Sequence, residues 1–233
     1  MFSVLDMFTI GVGPSSSHTV GPMCAAQAFA SSLEESGAVS RVGRIRVILY
    51  GSLSLTGLGH GTDRAILAGL EGNVPATVDT DYLLSVRERC AHDGTIHVNG
   101  TNAIAYDDDG DMVFDRWKRL APHPNGMRFQ AFDAQGNIID EQVWYSIGGG
   151  FIRRGRIDDA LISNHEQTPA SSQSPEDSGN DEAAEYGDGV PYPFVSCDGL
   201  IDLCRKHHLS IADVVWANET ARRSPQEVRD RLT

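Results

Sequence analysis

The chain is poor in lysine: only Lys118 and Lys206 occur among its 233 residues. Neither stands in a small, glycine-rich setting, so a pyridoxal phosphate Schiff base is not expected. Cysteine is also scarce. Cys24, Cys90, Cys197 and Cys204 are scattered, with no C-x-x-C spacing, so the chain by itself predicts no metal or iron–sulfur site. They read as buried or free thiols of a reducing compartment. Basic residues number 19 against 32 acidic ones, a net charge of −13. That balance argues against nucleic acid and anionic lipid as partners. No stretch of 18 apolar residues is present, so no membrane span is expected. The first residues carry no basic leader and no cleavage site, which makes the cytoplasm the expected compartment. A P-loop is missing, and Gly11-Val12-Gly13-Pro14-Ser15-Ser16 lacks the third glycine of a dinucleotide fingerprint.

What the chain does have is a repeated association of glycine, hydroxyl and histidine. The first runs Gly11-Val12-Gly13-Pro14-Ser15-Ser16-Ser17-His18-Thr19-Val20-Gly21-Pro22. The second runs Gly51-Ser52-Leu53-Ser54-Leu55-Thr56-Gly57-Leu58-Gly59-His60-Gly61-Thr62-Asp63. Each precedes a stretch with helical spacing. Small residues let a backbone approach a ligand closely, and a helix start offers unpaired N–H groups to an anion. Histidine adds a group that exchanges protons near neutral pH. Either segment alone is also compatible with a capped, glycine-rich turn. Together they predict a pocket for a small anionic molecule with acid–base chemistry.

Residues 20–36 predict a helix stopped by Gly37, and Arg44–Tyr50 alternates as a strand. The strand is expected to enter a Gly51–Gly61 loop, and Thr62 to cap a helix reaching Leu70. Beyond Gly72 the chain reads as β-rich, with one hairpin around Asn99-Gly100 and another around residues 133–137. Ser146-Ile147-Gly148-Gly149-Gly150 at a strand end reads either as a flexible exit or as a further close approach to a ligand. His123-Pro124-Asn125-Gly126 is a turn carrying a third candidate imidazole. From about Asn164 to Gly189 seven acidic residues occur without Lys or Arg, a composition expected to be disordered. Three helices are then expected, from Ser196, Ser210 and Ser224. They look like the entry to a further domain. The pattern predicts an α+β fold: a mixed β-sheet with flanking helices over 1–160, an acidic linker over 161–190 and a helical extension over 191–233.

Four blocks resemble the bacterial iron–sulfur L-serine dehydratases: Ser3–Met23, Tyr50–Asp63, His123–Phe129 and Tyr145–Phe151. Pro191–Phe194 and the terminal helices resemble that family's region leading out of this domain. The resemblance implies conversion of L-serine to pyruvate and ammonia. It implies a [4Fe–4S] cluster carried by an α portion that this chain lacks, so its own cysteines are not assigned to the cluster. It implies a β portion similar to the allosteric substrate-binding domain of some phosphoglycerate dehydrogenases. The expected partners are L-serine, an α subunit or α domain, and further copies in a homo-oligomer. By the same resemblance His60 is the expected base for the Cα proton, with His18 the next candidate. Ser15, Ser16, Thr62, Asp63, Ser146, Gly148, Gly149 and Gly150 are expected to hold the serine carboxylate and amine, with His123 and Asn125 as further members. The alternative is a non-catalytic regulatory module that binds serine or another small carboxylate. Two imidazoles in glycine frames favour the catalytic reading, because an anion site needs only N–H and hydroxyl donors.

Overall fold

The structure, a computed structural model, describes residues 3, 5, 10–164, 189–194 and 196–232. The acidic segment expected to be disordered, and His165 with it, lies outside the described residues except for its two ends. The chain divides into two compact units, residues 9–167 and residues 1–8 together with 168–233. No helix among the described residues is long and apolar enough to cross a membrane.

The larger unit is α+β. Helix α1 (Gly21–Glu35) follows a single π-helical turn over Ser16–Val20. Strand β1 (Arg44–Tyr50) lies where its alternation predicts and sends Ile45, Val47 and Leu49 into the core. The segment expected as a loop is instead helical. Gly51–Thr56 forms the short helix α2 and Gly57–His60 a 3₁₀ turn, before α3 (Thr62–Leu70). Gly51 makes this possible, because the chain turns out of β1 at φ +56°, and a Cβ there would sit 2.3 Å from the Pro124 carbonyl oxygen. Gly61, in the left-handed conformation, occupies the cap of α3, and the Thr62 hydroxyl is used elsewhere.

Helix α4 (Thr80–Asp93) stands in the region that reads as β-rich, where no helix is expected from sequence. Its apolar stripe is thin. Leu83, Val86 and Cys90 alone are buried, at i, i+3 and i+7, and Asp79 caps the helix by accepting from the Tyr82 N–H at 2.8 Å. The hairpin strands β2 (Thr95–Val98) and β3 (Asn102–Ala105) follow, then a single turn α5 (Asp108–Asp111) and β4 (Met112–Asp115). Next come β5 (Lys118–Leu120), β6 (Gly126–Phe132), β7 (Ile138–Gly148), β8 (Phe151–Arg154) and β9 (Leu161–Ser163). The mixed sheet has seven strands in the order β2-β3-β1-β6-β7-β8, with β4 also paired to β1; β5 and β9 form a separate pair. β1 runs parallel to β3 and β4 and antiparallel to β6.

One core joins the inner sheet face to α1, α3 and α4, with Phe29 stacked on Phe129 at 5.2 Å. Helices α1 and α3 meet through Ala26 and Gly69. A Cβ on Gly69 would lie 2.3 Å from the Met23 carbonyl and 2.9 Å from the Ala26 methyl. Because His18 and His60 immediately precede these two helices, their contact sets the distance between the imidazoles.

In the smaller unit, α6 (Cys197–His207), α7 (Ile211–Thr220) and α8 (Pro225–Leu232) match the three expected helices. Ser210 and Asp213 form a reciprocal capping box on α7. Asn218 ties the Tyr192 backbone at both its N–H and its carbonyl, at 2.9 and 2.8 Å. Val214 and Val228 are buried.

A Gly69→Ala substitution tests the helix contact. Better helix propensity gains at most about 1 kcal/mol. Overpacking against a backbone carbonyl costs about 1–3 kcal/mol and wins at this distance. Urea unfolding is expected to show a net loss of stability. An unchanged midpoint would mean that the two helices have room to part.

Candidate functional site

The π-helical turn places His18, and the 3₁₀ turn places His60. Their rings lie 4.9 Å apart, centroid to centroid, tilted by 41°. The two segments are clasped reciprocally. The Thr19 hydroxyl donates to the His60 carbonyl at 2.8 Å, and the Thr62 hydroxyl donates to the His18 carbonyl. Both threonines are buried, so each histidine backbone is held by the other's segment.

The two rings differ in their partners. His60 Nδ1 donates to the Thr56 carbonyl at 2.9 Å. A carbonyl only accepts, so the neutral ring carries its proton on Nδ1 and keeps a lone pair on Nε2. His18 is spanned by hydroxyls, with Ser17 Oγ 2.9 Å from Nδ1 and Ser52 Oγ 3.0 Å from Nε2. Its pKa lies below the ordinary 6.5. Burial is the larger cause and the neighbouring His60 charge the second, and both outweigh the contact with Ser52. A cavity of about 100 Å³ opens beside His60, between Gly13-Pro14, Gly59–Gly61, Arg64 and Leu83-Leu84.

Ser15 caps the π turn, with Oγ accepting from the His18 N–H at 3.1 Å. Ser16 is exposed at the same helix start. Ser146 is fully buried on β7, and its Oγ has no hydrogen-bond partner among the described residues. It faces the junction of the π turn and α1, where a Cβ on Gly21 would meet that oxygen at 2.1 Å. Asn125 is linked to Ser146 twice. Asn125 Nδ2 donates to the Ser146 carbonyl at 3.2 Å, and the Ser146 N–H donates to the Asn125 carbonyl at 3.1 Å. The Pro124 carbonyl accepts from the Ser52 N–H at 2.9 Å, which brings the His123–Asn125 turn to the start of α2. His123 Nδ1 accepts from the Asn125 N–H at 3.1 Å, and burial followed by the Arg153 charge holds its pKa low.

Two groups of expected site residues stand apart from the imidazoles. Asp63 is buried, and its carboxylate pairs with Arg87, which also grips Asp108 through two nitrogens. Gly148, Gly149 and Gly150, all at positive φ, form the tight β7–β8 turn. Ser17 and Ser52, the hydroxyl partners of His18, were not singled out from sequence although both lie inside the two repeats. Nothing in a lone serine marks it as a partner of an imidazole 34 residues away.

A wider cavity of about 510 Å³ lies at the opposite end of β1, lined by Arg44, Arg46 and Phe132 among others. Its cations are already engaged. Arg44 Nε pairs with buried Asp111 at 2.5 Å, while Arg46 Nε donates to the Gly110 carbonyl at 3.1 Å and stacks over Phe132. No imidazole lines it, so the histidine pair is the better candidate.

Residues 3–156 match the family described as serine dehydratase beta chain. The chain is 40% identical over 230 residues to "L-serine dehydratase" of Streptomyces coelicolor, covering 99% of this chain and 46% of that protein. It is 39% identical over 232 residues to "L-serine dehydratase 1" of Escherichia coli, covering 98% and 45% respectively. With "L-serine dehydratase" of Mycobacterium tuberculosis the identity is 38% over 231 residues, again 45% of the relative. The chain thus spans about half the length of the curated relatives it matches.

The depressed pKa of His18 has a measurable consequence. The unfolded chain takes up that proton near 6.5 and the folded chain only at lower pH. Between the two midpoints the unfolded state binds more protons, so this group makes stability rise with pH across that window. An NMR titration should place the His18 midpoint below 6.5. His60→Asn should raise it while leaving it below 6.5, because burial is the larger cause. A midpoint at or above 6.5 in the unsubstituted chain would contradict the geometry described here.

Proposed function

The chain belongs to the serine dehydratase beta chain family, and on that footing we propose that it is the β component of an enzyme that converts L-serine to pyruvate and ammonia by β-elimination of water. The observation that carries the reading is the clasped histidine pair, in which His60, held at Nδ1 and with its Nε2 lone pair uncommitted, lines a small cavity beside a neutral His18. Removing a proton from a carbon acid needs a positioned base and stabilisation of the charge that develops.

His60 Nε2 takes the Cα proton. The electrons of that C–H bond form the C=C bond as the Cβ–O bond breaks, and the hydroxyl departs as water with the proton that His60 has accepted, which restores the neutral ring. Aminoacrylate then tautomerises to the imine, water adds, and ammonia leaves. The helix start at Ser15–Ser17 and the unpartnered Ser146 hydroxyl receive the substrate carboxylate. Asn125 and His123 support Ser146 from the neighbouring turn. Thr62 and Asp63 act on the frame, the first through its clasp and the second by anchoring Arg87. The Gly148–Gly150 turn fixes the end of β7 that carries Ser146.

The [4Fe–4S] cluster implied by the resemblance does not fit this chain's described residues. No group of three or more His, Cys, Asp or Glu there could hold a metal ion. Burial pushes the Cys90 thiol up to about 12 and raises Cys24 as well, so neither offers a thiolate at neutral pH. We assign the cluster, and assistance to the leaving hydroxyl, to the half of the relatives that this chain does not span. This chain's part is positioning and proton transfer.

The test is turnover of L-serine to pyruvate by this chain assembled with that half. His60→Asn is expected to lower kcat by about 10²–10⁴-fold and to change KM far less. A raised KM with kcat intact would make His60 a binding residue and move the base to His18. Serine binding by the assembled protein without any pyruvate would establish the regulatory module instead.

A further inference from the structure

Three large apolar side chains stand exposed close to the histidine pair: Leu55 at 57%, Leu58 at 44% and Leu84 at 57% of their full accessibility. Leu55 lies in the last turn of α2, Leu58 lies in the 3₁₀ turn that carries His60, and Leu84 lies on α4 and lines the His60 cavity. Arg64 lines the same cavity. Its guanidinium is half-buried and has no hydrogen-bond or ion-pair partner among the described residues, in a chain whose net charge is −13. Scattered leucines on a surface need no explanation. These three come from separate elements: Leu84 lines one small cavity together with His60 and Arg64, and Leu55 and Leu58 lie on the segment that leads into His60.

We propose that the face carrying Leu55, Leu58 and Leu84, with Arg64 in the adjoining His60 cavity, is the one on which the remaining half of the enzyme docks. The occupant is identified by what is missing. More than half the length of the relatives lies beyond the span this chain matches. The described residues offer no metal-binding group beside the imidazoles, and the proposed elimination needs one component from outside. A leucine-bearing face beside a proton-transfer site also excludes water once it is covered, which strengthens electrostatic interactions inside. Arg64 calls for an acidic acceptor on the docking surface, a pairing that is strongest where the partner excludes water from it. The inference rests on the functional reading above for the identity of the partner.

The test is titration calorimetry of this chain with the other half of the enzyme as a separate polypeptide, using Leu55→Asp with Leu84→Asp, and separately Arg64→Ala. Each change is expected to weaken association by about tenfold or more. The leucines are exposed, so the thermal midpoint of the isolated chain should stay unchanged, which separates lost docking from lost folding. Affinity insensitive to all three changes would overturn the assignment of this face. So would concentration-dependent dimerisation of the chain alone that Leu55→Asp abolishes, because a second copy would then be the occupant. If the partner binds through this face and the pair forms no pyruvate from L-serine, the docking surface stands and the functional reading fails.

Discussion

Helices α1 and α3 lie so close that there is no room for a Cβ on Gly69 between the Met23 carbonyl and the Ala26 methyl. The rest of the site depends on that approach. Each helix is preceded by an irregular turn that ends at a threonine clasp, and the two clasps can close only when the helix starts are side by side. The sheet enforces the same spacing from below. β1 feeds α2 through Gly51, and the Pro124 carbonyl that crowds Gly51 also accepts from Ser52. Packing of small residues in the core thereby fixes the separation of two titratable rings at the surface.

The sheet was largely legible from sequence, because strand period and turn chemistry agree. Arg44–Tyr50 alternates cleanly, and Asn99-Gly100 marks its hairpin at positive φ. The failures have physical causes. Gly51–Gly61 reads as a loop because it holds four glycines, yet Leu53 and Ser54 are buried and the segment coils against the sheet. Helix α4 was hidden by its polar composition, since three buried side chains suffice once Asp79 caps it. At the site, the motifs locate both histidines and the helix starts. They do not show that Asp63 turns toward Arg87, because the direction of a first-turn side chain depends on where α4 lies.

The polar groups fall into two kinds that sequence alone does not separate. Thr19, Thr62 and Asn125 spend their hydrogen-bonding capacity on backbone carbonyls, as do most satisfied polar groups in folded proteins. Ser146 Oγ is different: it is buried and unpartnered among the described residues, an arrangement that costs about 1–3 kcal/mol unless something binds to it. Asp63 Oδ1 is also without a partner, but its other oxygen is charge-paired with Arg87, which offsets much of that cost.

The two serines flanking His18 carry one more consequence. A hydroxyl can donate or accept by rotating about a single bond. If the proton of the neutral His18 ring moves from one nitrogen to the other, Ser17 and Ser52 need only rotate in concert and neither hydrogen bond is lost. The two tautomers are thereby brought close in energy, unlike those of His60, where the Thr56 carbonyl favours one form alone. The paired imidazoles therefore differ in kind: one is locked, and the other is a two-way relay whose direction is set by hydroxyl rotors.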